Sequence, residues 1–275
     1  MLIPAGLSLF GKLPCAADYL RIAHTHADAQ QLDRWLSAGV QALARASADW
    51  PAQRVQFVFA CAGGETLLAG VLAPSRDRAG RRFPVAIYGV LAARVIGAAY
   101  AALPGWLDAY WRAIHALLDR SSELTRESLA HALSALRTPS PRELASAQAA
   151  LHRALANESA AAFFRGTLGA DSGVQSCALA CTRVTQRAAI ECPLRHAADV
   201  ASWLALLTHA GHALPSLFWT HEPQRLLLAF GAPAAELPLW LARPQLKAPR
   251  LLDLRQLAPA GTPDPSSLLL SLIHI

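Results

Sequence analysis

Between Val55 and Leu91 the chain reads "VQFVFACAGGETLLAGVLAPSRDRAGRRFPVAIYGVL". No other stretch constrains the fold so tightly. It holds three apolar runs, Val55–Cys61, Leu67–Ala73 and Phe83–Leu91, rich in β-branched and aromatic residues and too short for independent helices. Turn-forming "AGGE" separates the first two, and the polar "PSRDRAGRR" separates the second from the third. Parallel neighbours need a crossover of about a dozen residues or more, and these links are shorter. The segment therefore predicts an antiparallel meander with a buried first strand.

The flanking sequence predicts the rest of a layered domain. Residues 1–14 read as a strand and turn. From Gln31 to Arg45, Leu32, Trp35, Leu36, Val40 and Leu43 recur at helical spacing. Trp106 to Leu118 repeats the pattern, with Pro104 near its start, where proline is tolerated. A second helix is expected from Ser122 to about Leu136. Thr138–Pro141 breaks it, and an alanine-faced third helix runs from Pro141 to about Leu155. After a loop at Gly166–Gly173, strands are expected at Val174–Val184 and Ala188–Leu194, and a helix at Asp199–Gly211. A hairpin of "PSLFWT" and "RLLLAFG" joined by "HEPQ" follows, then a short helix at Ala234–Pro244. Strands, helices, strands, helices give an α/β fold: a single layered sandwich with a mixed, partly antiparallel central sheet and helices packed on it. The domain is placed at 1–245 and a tail at 246–275. The final apolar stretch, about 265–275, resembles a translated adaptor read and is left out of the fold reading.

Composition narrows the function classes. The chain has 275 residues, 53% hydrophobic and 16% charged, enough for a sizeable core. The net charge is +6, and among the 25 basic residues only Lys12 and Lys247 are lysines. There is no dense basic run and no interleaving of aromatic with basic residues, so nucleic acid is not an expected partner. Cysteines number five, an odd count, and the N-terminus does not read as a secretory leader. Reduced thiols and a cytoplasmic location are expected. Val85–Leu103 is long enough to span a bilayer, but Arg94 would sit near the midplane at a cost of about 2.5–3.5 kcal/mol. A strand followed by a loop is the preferred reading, and no membrane span is expected.

Catalytic patterns are absent. "GKLP" at Gly11–Pro14 has one glycine and no hydroxyl after the lysine, so it is not a phosphate-binding loop. No Gly-x-Gly-x-x-Gly and no Gly-x-Ser-x-Gly occurs. Cys15 with His24 or His26 would suit a cysteine-dependent hydrolase, but Cys15 reads better as a small buried hydrophobe. On a strand, Cys177 and Cys181 would lie about 13 Å apart, too far to share a zinc ion. His209 and His212 lack further ligands at zinc spacing. Asp18, Asp33 and Asp77 do not form an acid–base pair. No catalytic, cofactor-binding or metal-binding residue is nominated. A cysteine-dependent hydrolase and a membrane-associated adaptor stand as rival readings.

The most distinctive polar element is the loop Pro74–Pro84. Arg76, Arg78, Arg81 and Arg82 crowd around Asp77. It reads equally as a solvated hairpin tip or as a binding edge that grips phosphate or carboxylate. Arg81 is placed to pair with Asp77 and hold the loop.

These residues carry a resemblance. "FGKLPCAADYLR", "LDRWLSAGV" and "LLAGVLAPSRDRAGRRFPVAIYGVL" resemble the TagF family of type VI secretion-associated proteins, as does the later "PSLFWT" segment. Gly11, Lys12, Leu13, Pro14, Asp18, Trp35, Leu36, Gly70, Pro74, Ser75, Asp77, Gly80, Arg81, Phe83 and Pro84 match. The family's Gly-Asp-Phe reads here Ala17-Asp18-Tyr19. The resemblance implies an α/β sandwich without known enzymatic activity or cofactor. It implies a cytoplasmic protein that represses type VI secretion after translation by binding the machine's forkhead-associated scaffold protein. Arg76, Asp77, Arg78, Arg81, Arg82 and Asp18 are the candidate partner-binding residues. Phe10–Arg21 is then expected to be a strand–turn–helix, with Asp18 near the helix N-terminus, where its charge is favoured.

Overall fold

A computed structural model describes residues 6–156, 162–163, 166–167, 189–209, 214–222, 224–248 and 250–254. Its frame is one mixed, largely antiparallel sheet. The strands are β1 (Ser8–Gly11), β2 (Leu20–Ile22), β3 (Val55–Ala60), β4 (Thr66–Ala73), β5 (Val85–Ala92), β6 (Ala189–Cys192), β7 (Ser216–His221), β8 (Gln224–Ala229) and β9 (Leu251–Asp253). They lie in the order β2-β1-β5-β4-β3-β7-β8-β6-β9. The expected meander is present: β3 pairs with β4 from Val55↔Leu72 to Ala60↔Leu67, and β4 pairs with β5 from Thr66↔Ala92 to Ala73↔Val85. The expected hairpin is β7–β8. It docks on β3 through Phe57↔Phe218, which joins the two halves of the chain in one sheet.

Helices cover both faces. They are α1 (Ala29–Arg45), the short α2 (Ala93–Ile96), α3 (Leu103–Asp119), α4 (Arg126–Ala135), α5 (Pro141–Ala156), α6 (Asp199–His209) and α7 (Leu237–Ala242). The period-2 pleat sorts the strand residues into two cores. Val58, Leu67, Ala69, Val71, Val85, Ile87, Leu226 and Leu228 face Trp106, Trp111, Ile114 and Trp203. Phe57, Phe59, Leu68, Leu72, Ala86, Tyr88 and Leu227 face Leu32, Trp35, Leu36 and Trp240. Because both faces are covered, the central strands read as unbroken apolar runs and do not alternate with polar residues.

Several elements differ from the sequence reading. Phe10–Arg21 is a strand–turn–strand: β1 turns back into β2, and α1 begins only at Ala29. Asp18 is therefore not at a helix N-terminus. Three residues of β2 pair with β1 through Leu9↔Ile22 and Gly11↔Leu20, and this pairing outcompetes an earlier helix start. Val85–Leu103 divides into β5, α2 and a 3₁₀ turn at Gly97–Ala102. Tyr100 is buried in that turn and donates its hydroxyl to the Pro215 carbonyl. Among the described residues no helix is long and apolar enough to cross a membrane.

Helix α3 starts at Leu103, with a proline in its first turn. Helix α4 starts after Thr125, whose hydroxyl accepts from the Ser128 N–H while the Ser128 hydroxyl accepts from the Thr125 N–H. That capping box sets the start three residues later than Ser122 would. The sheet also runs past residue 245: β9 pairs parallel to β6 through Ala189↔Leu251 and Glu191↔Asp253. The strand expected at Val174–Val184 lies outside the described residues, as do Cys177, Cys181, His212 and the 265–275 stretch.

Candidate functional site

The arginine loop joins β4 to β5 and is built around Asp77. Its turn closes through Gly80 N–H to the Asp77 carbonyl at 2.9 Å and Asp77 N–H to the Arg81 carbonyl at 3.1 Å. Gly80 has φ 81°, a left-handed conformation open to glycine at little steric cost. The Asp77 side chain points inward and is fully buried. It accepts from Lys12 Nζ at 3.0 Å, from Arg81 Nε at 2.8 Å and from the Arg81 backbone N–H at 2.9 Å. Burial pushes its carboxyl up, but these donors outweigh burial and hold the pKa down at about 2. A buried carboxylate needs such partners to stay charged. The expected Arg81–Asp77 pair is thus present. Lys12, matched in the sequence but given no task there, is its buried third member.

This lock ties the loop to the β1–β2 turn. Arg81 also donates to the Ala17 carbonyl at 2.6 Å and lies 3.8 Å from Asp18. Arg78 N–H bonds the Ala16 carbonyl at 2.8 Å. Ala17 is not among the residues with positive φ, so alanine fits where the resembled motif has glycine. Tyr19 covers Lys12, whose Nζ lies 4.9 Å from the ring centroid, and packs edge-on against Phe83 at 4.9 Å. At 44% exposure it is the exposed large hydrophobic side chain among the described residues.

The four arginines separate by role. Arg81 holds the loop. Arg82 reaches Asp49 at 2.6 Å in a pair exposed on both sides. Arg76 and Arg78 are exposed and make no ion pair among the described residues. The structure thus brings Asp77, Arg81 and Asp18 together, and leaves Arg76, Arg78 and Arg82 at the surface. Arg76 and Arg82 face each other in an antiparallel bridge and border a cleft of about 650 Å³. The segment 48–54 and the C-terminal end of α3 form the cleft's other walls.

Elsewhere the chemistry is muted. Burial raises the Cys15 thiol above its ordinary range, against the smaller effects of a backbone hydrogen bond and the Arg78 charge. Cys61 is pushed up to about 12, mainly by burial. A protonated thiol is a poor nucleophile. His24 Nδ1 lies 2.6 Å from the Tyr88 hydroxyl, and burial lowers its pKa. Among the described residues no three His, Cys, Asp or Glu side chains group as a metal ion would need.

Comparison with known proteins bears on the segment that holds this site. The family model for the TagF N-terminal domain, type VI secretion system-associated, matches residues 8–136. Residues 8–136 thus resemble a TagF N-terminal domain. The match takes in Lys12, the arginine loop, α1 and α3, and ends at α4. No match was found among curated proteins. Among solved structures the fold is similar to that of PA0076 from Pseudomonas aeruginosa PAO1. The TM-score is 0.55 at 19% identity, over 88% of this chain and 96% of that one. At that identity the likeness speaks for the fold alone. The family match links the N-terminal part of the chain to type VI secretion-associated proteins.

Proposed function

We propose that this protein, with its TagF-like N-terminal domain, represses type VI secretion after translation, in the cytoplasm, by binding the machine's forkhead-associated scaffold protein without turnover. The observation that carries the reading is the arginine loop. The buried Lys12–Asp77 pair, joined by Arg81, fixes its base, while Arg76 and Arg78 stand exposed and without an ion pair among the described residues. With the loop backbone already tied down, only the arginine side chains lose freedom on meeting an acidic surface, which suits association. The raised Cys15 thiol argues against the cysteine-hydrolase alternative.

Repression by sequestration follows mass action, whereas an enzyme works far below one copy per target. The test is titrated expression in a cell that fires the secretion machine, with effector release measured against the copy number of the scaffold. Graded loss of secretion near equal copy number is expected. Full repression at a small fraction of the scaffold's level would revive an enzymatic reading, and unchanged secretion at every level would overturn the proposal.

A further inference from the structure

The cleft beside the arginine loop has features that the loop alone does not account for. Its volume of about 650 Å³ is that of a ligand pocket. Its apolar lining is the half-buried Val40 and Trp50, backed by the buried Leu13, Leu43, Phe83 and Leu118. Its charged lining consists of Arg54, Arg76 and Arg82 against the single carboxylate of Asp49. The isolated Arg76↔Arg82 bridge sets two like-charged residues opposite each other, an arrangement that an anion between them would relieve, and only Arg82 of the two has a carboxylate partner among the described residues.

The carboxylates already nearby are held loosely. Asp49 and Arg82 are 79% and 75% exposed in their pair, and the Asp119 partner of Arg54 is 67% exposed. Water screens such contacts, so an incoming carboxylate can replace them. The base beneath is fixed by Asp77, so the loop backbone need not be ordered on binding and only the two side chains lose freedom.

We propose that this cleft takes an acidic peptide segment of a protein partner. A carboxylate would sit between Arg76 and Arg82, and a neighbouring apolar side chain would rest against Val40 and Trp50. The inference rests on the reading above that the protein acts by association, and it names where and by what chemistry. The apolar lining favours a peptide over a free inorganic anion, which would leave those side chains wet. Arg78 lies outside this lining.

The test pans a phage-displayed random dodecapeptide library on the purified full chain and synthesises the enriched peptides. They should carry Asp or Glu beside a large apolar residue. Arg76→Ala with Arg82→Ala should weaken their binding about tenfold or more. Ala44→Trp, at an exposed α1 position on the cleft wall, should weaken it without any change of charge. Arg34→Ala, at an exposed α1 position outside the cleft lining, should leave it intact. Enrichment of non-acidic peptides, indifference to both cleft variants, or no enrichment would overturn the proposal. Scaffold capture is scored separately on the wild-type chain. Peptide binding without scaffold capture keeps this site and overturns the partner named above. Scaffold capture that ignores Arg76, Arg82 and Ala44 keeps the partner and overturns this site.

Discussion

Asp77 organises its surroundings through one negative charge. Its carboxyl titrates near pH 2, below the ordinary value of about 4. A depressed folded-state pKa contributes stability that is fully present above the unfolded value and is lost as pH falls through the folded one. Asp77→Asn keeps the shape but leaves Lys12 buried at 5% exposure without a counter-charge. The variant should melt several degrees below wild type at pH 7, and the gap should close between pH 4 and pH 2. Thermal melts at pH 7, 4 and 2 check this; a gap that stays constant through that window would mean that the charge stabilises nothing.

At the scale of elements, the β1–β5 pair decides whether the site exists. Gly11 ends β1 with φ 133°, and a Cβ there would lie 2.2 Å from the Pro84 carbonyl oxygen. Lys12 and Pro84 flank that contact, so β1 and the loop's exit approach only because residue 11 has no side chain. Gly11→Ala should cost at least about 1–3 kcal/mol from backbone strain alone, and the clash adds to it. It should also loosen the β1–β2 edge first. Limited proteolysis should show faster cleavage between residues 12 and 28, ahead of any change in the β3–β4–β5 meander. Uniform cleavage throughout the chain would instead place β1 inside the global unfolding unit.

Across the whole molecule, the far end of the sheet is held by a second buried ion pair. Arg225 on β8 makes paired hydrogen bonds of 2.8 and 2.7 Å to Glu191 on β6, and donates to the Trp240 and Leu241 carbonyls at the end of α7. One guanidinium thus joins two strands and satisfies carbonyls that the helix terminus leaves open. Glu191→Gln leaves this buried cation without its counter-charge, for an expected loss of about 3–5 kcal/mol. Glu191→Leu with Arg225→Met should recover only part of it, because the α7 carbonyls stay orphaned. Denaturant unfolding of both variants gives the comparison, and full recovery would show that those carbonyls find other donors.

Chain-local physics made the meander, α1, the β7–β8 hairpin and the α/β class legible in the sequence. Short links between apolar runs allow little but antiparallel pairing, and a 3.6-residue apolar stripe needs no distant partner to be read. The arginine loop was legible for the same reason, as was its Arg81–Asp77 pair, four residues apart. Lys12 was not, because 65 residues separate it from Asp77 and only the β1–β5 pairing brings them within 3.0 Å. Asp18 was misplaced because β2 gains its hydrogen bonds from β1, a contact that local propensity does not contain. Asp49 and Arg54 line the cleft together with α1 and the end of α3, a grouping that local sequence does not contain. Periodicity and turn chemistry act within a few residues, so the sequence determined the elements. Burial, counter-charges and the shape of the cleft depend on segments far apart in the chain, and those only the tertiary structure decided.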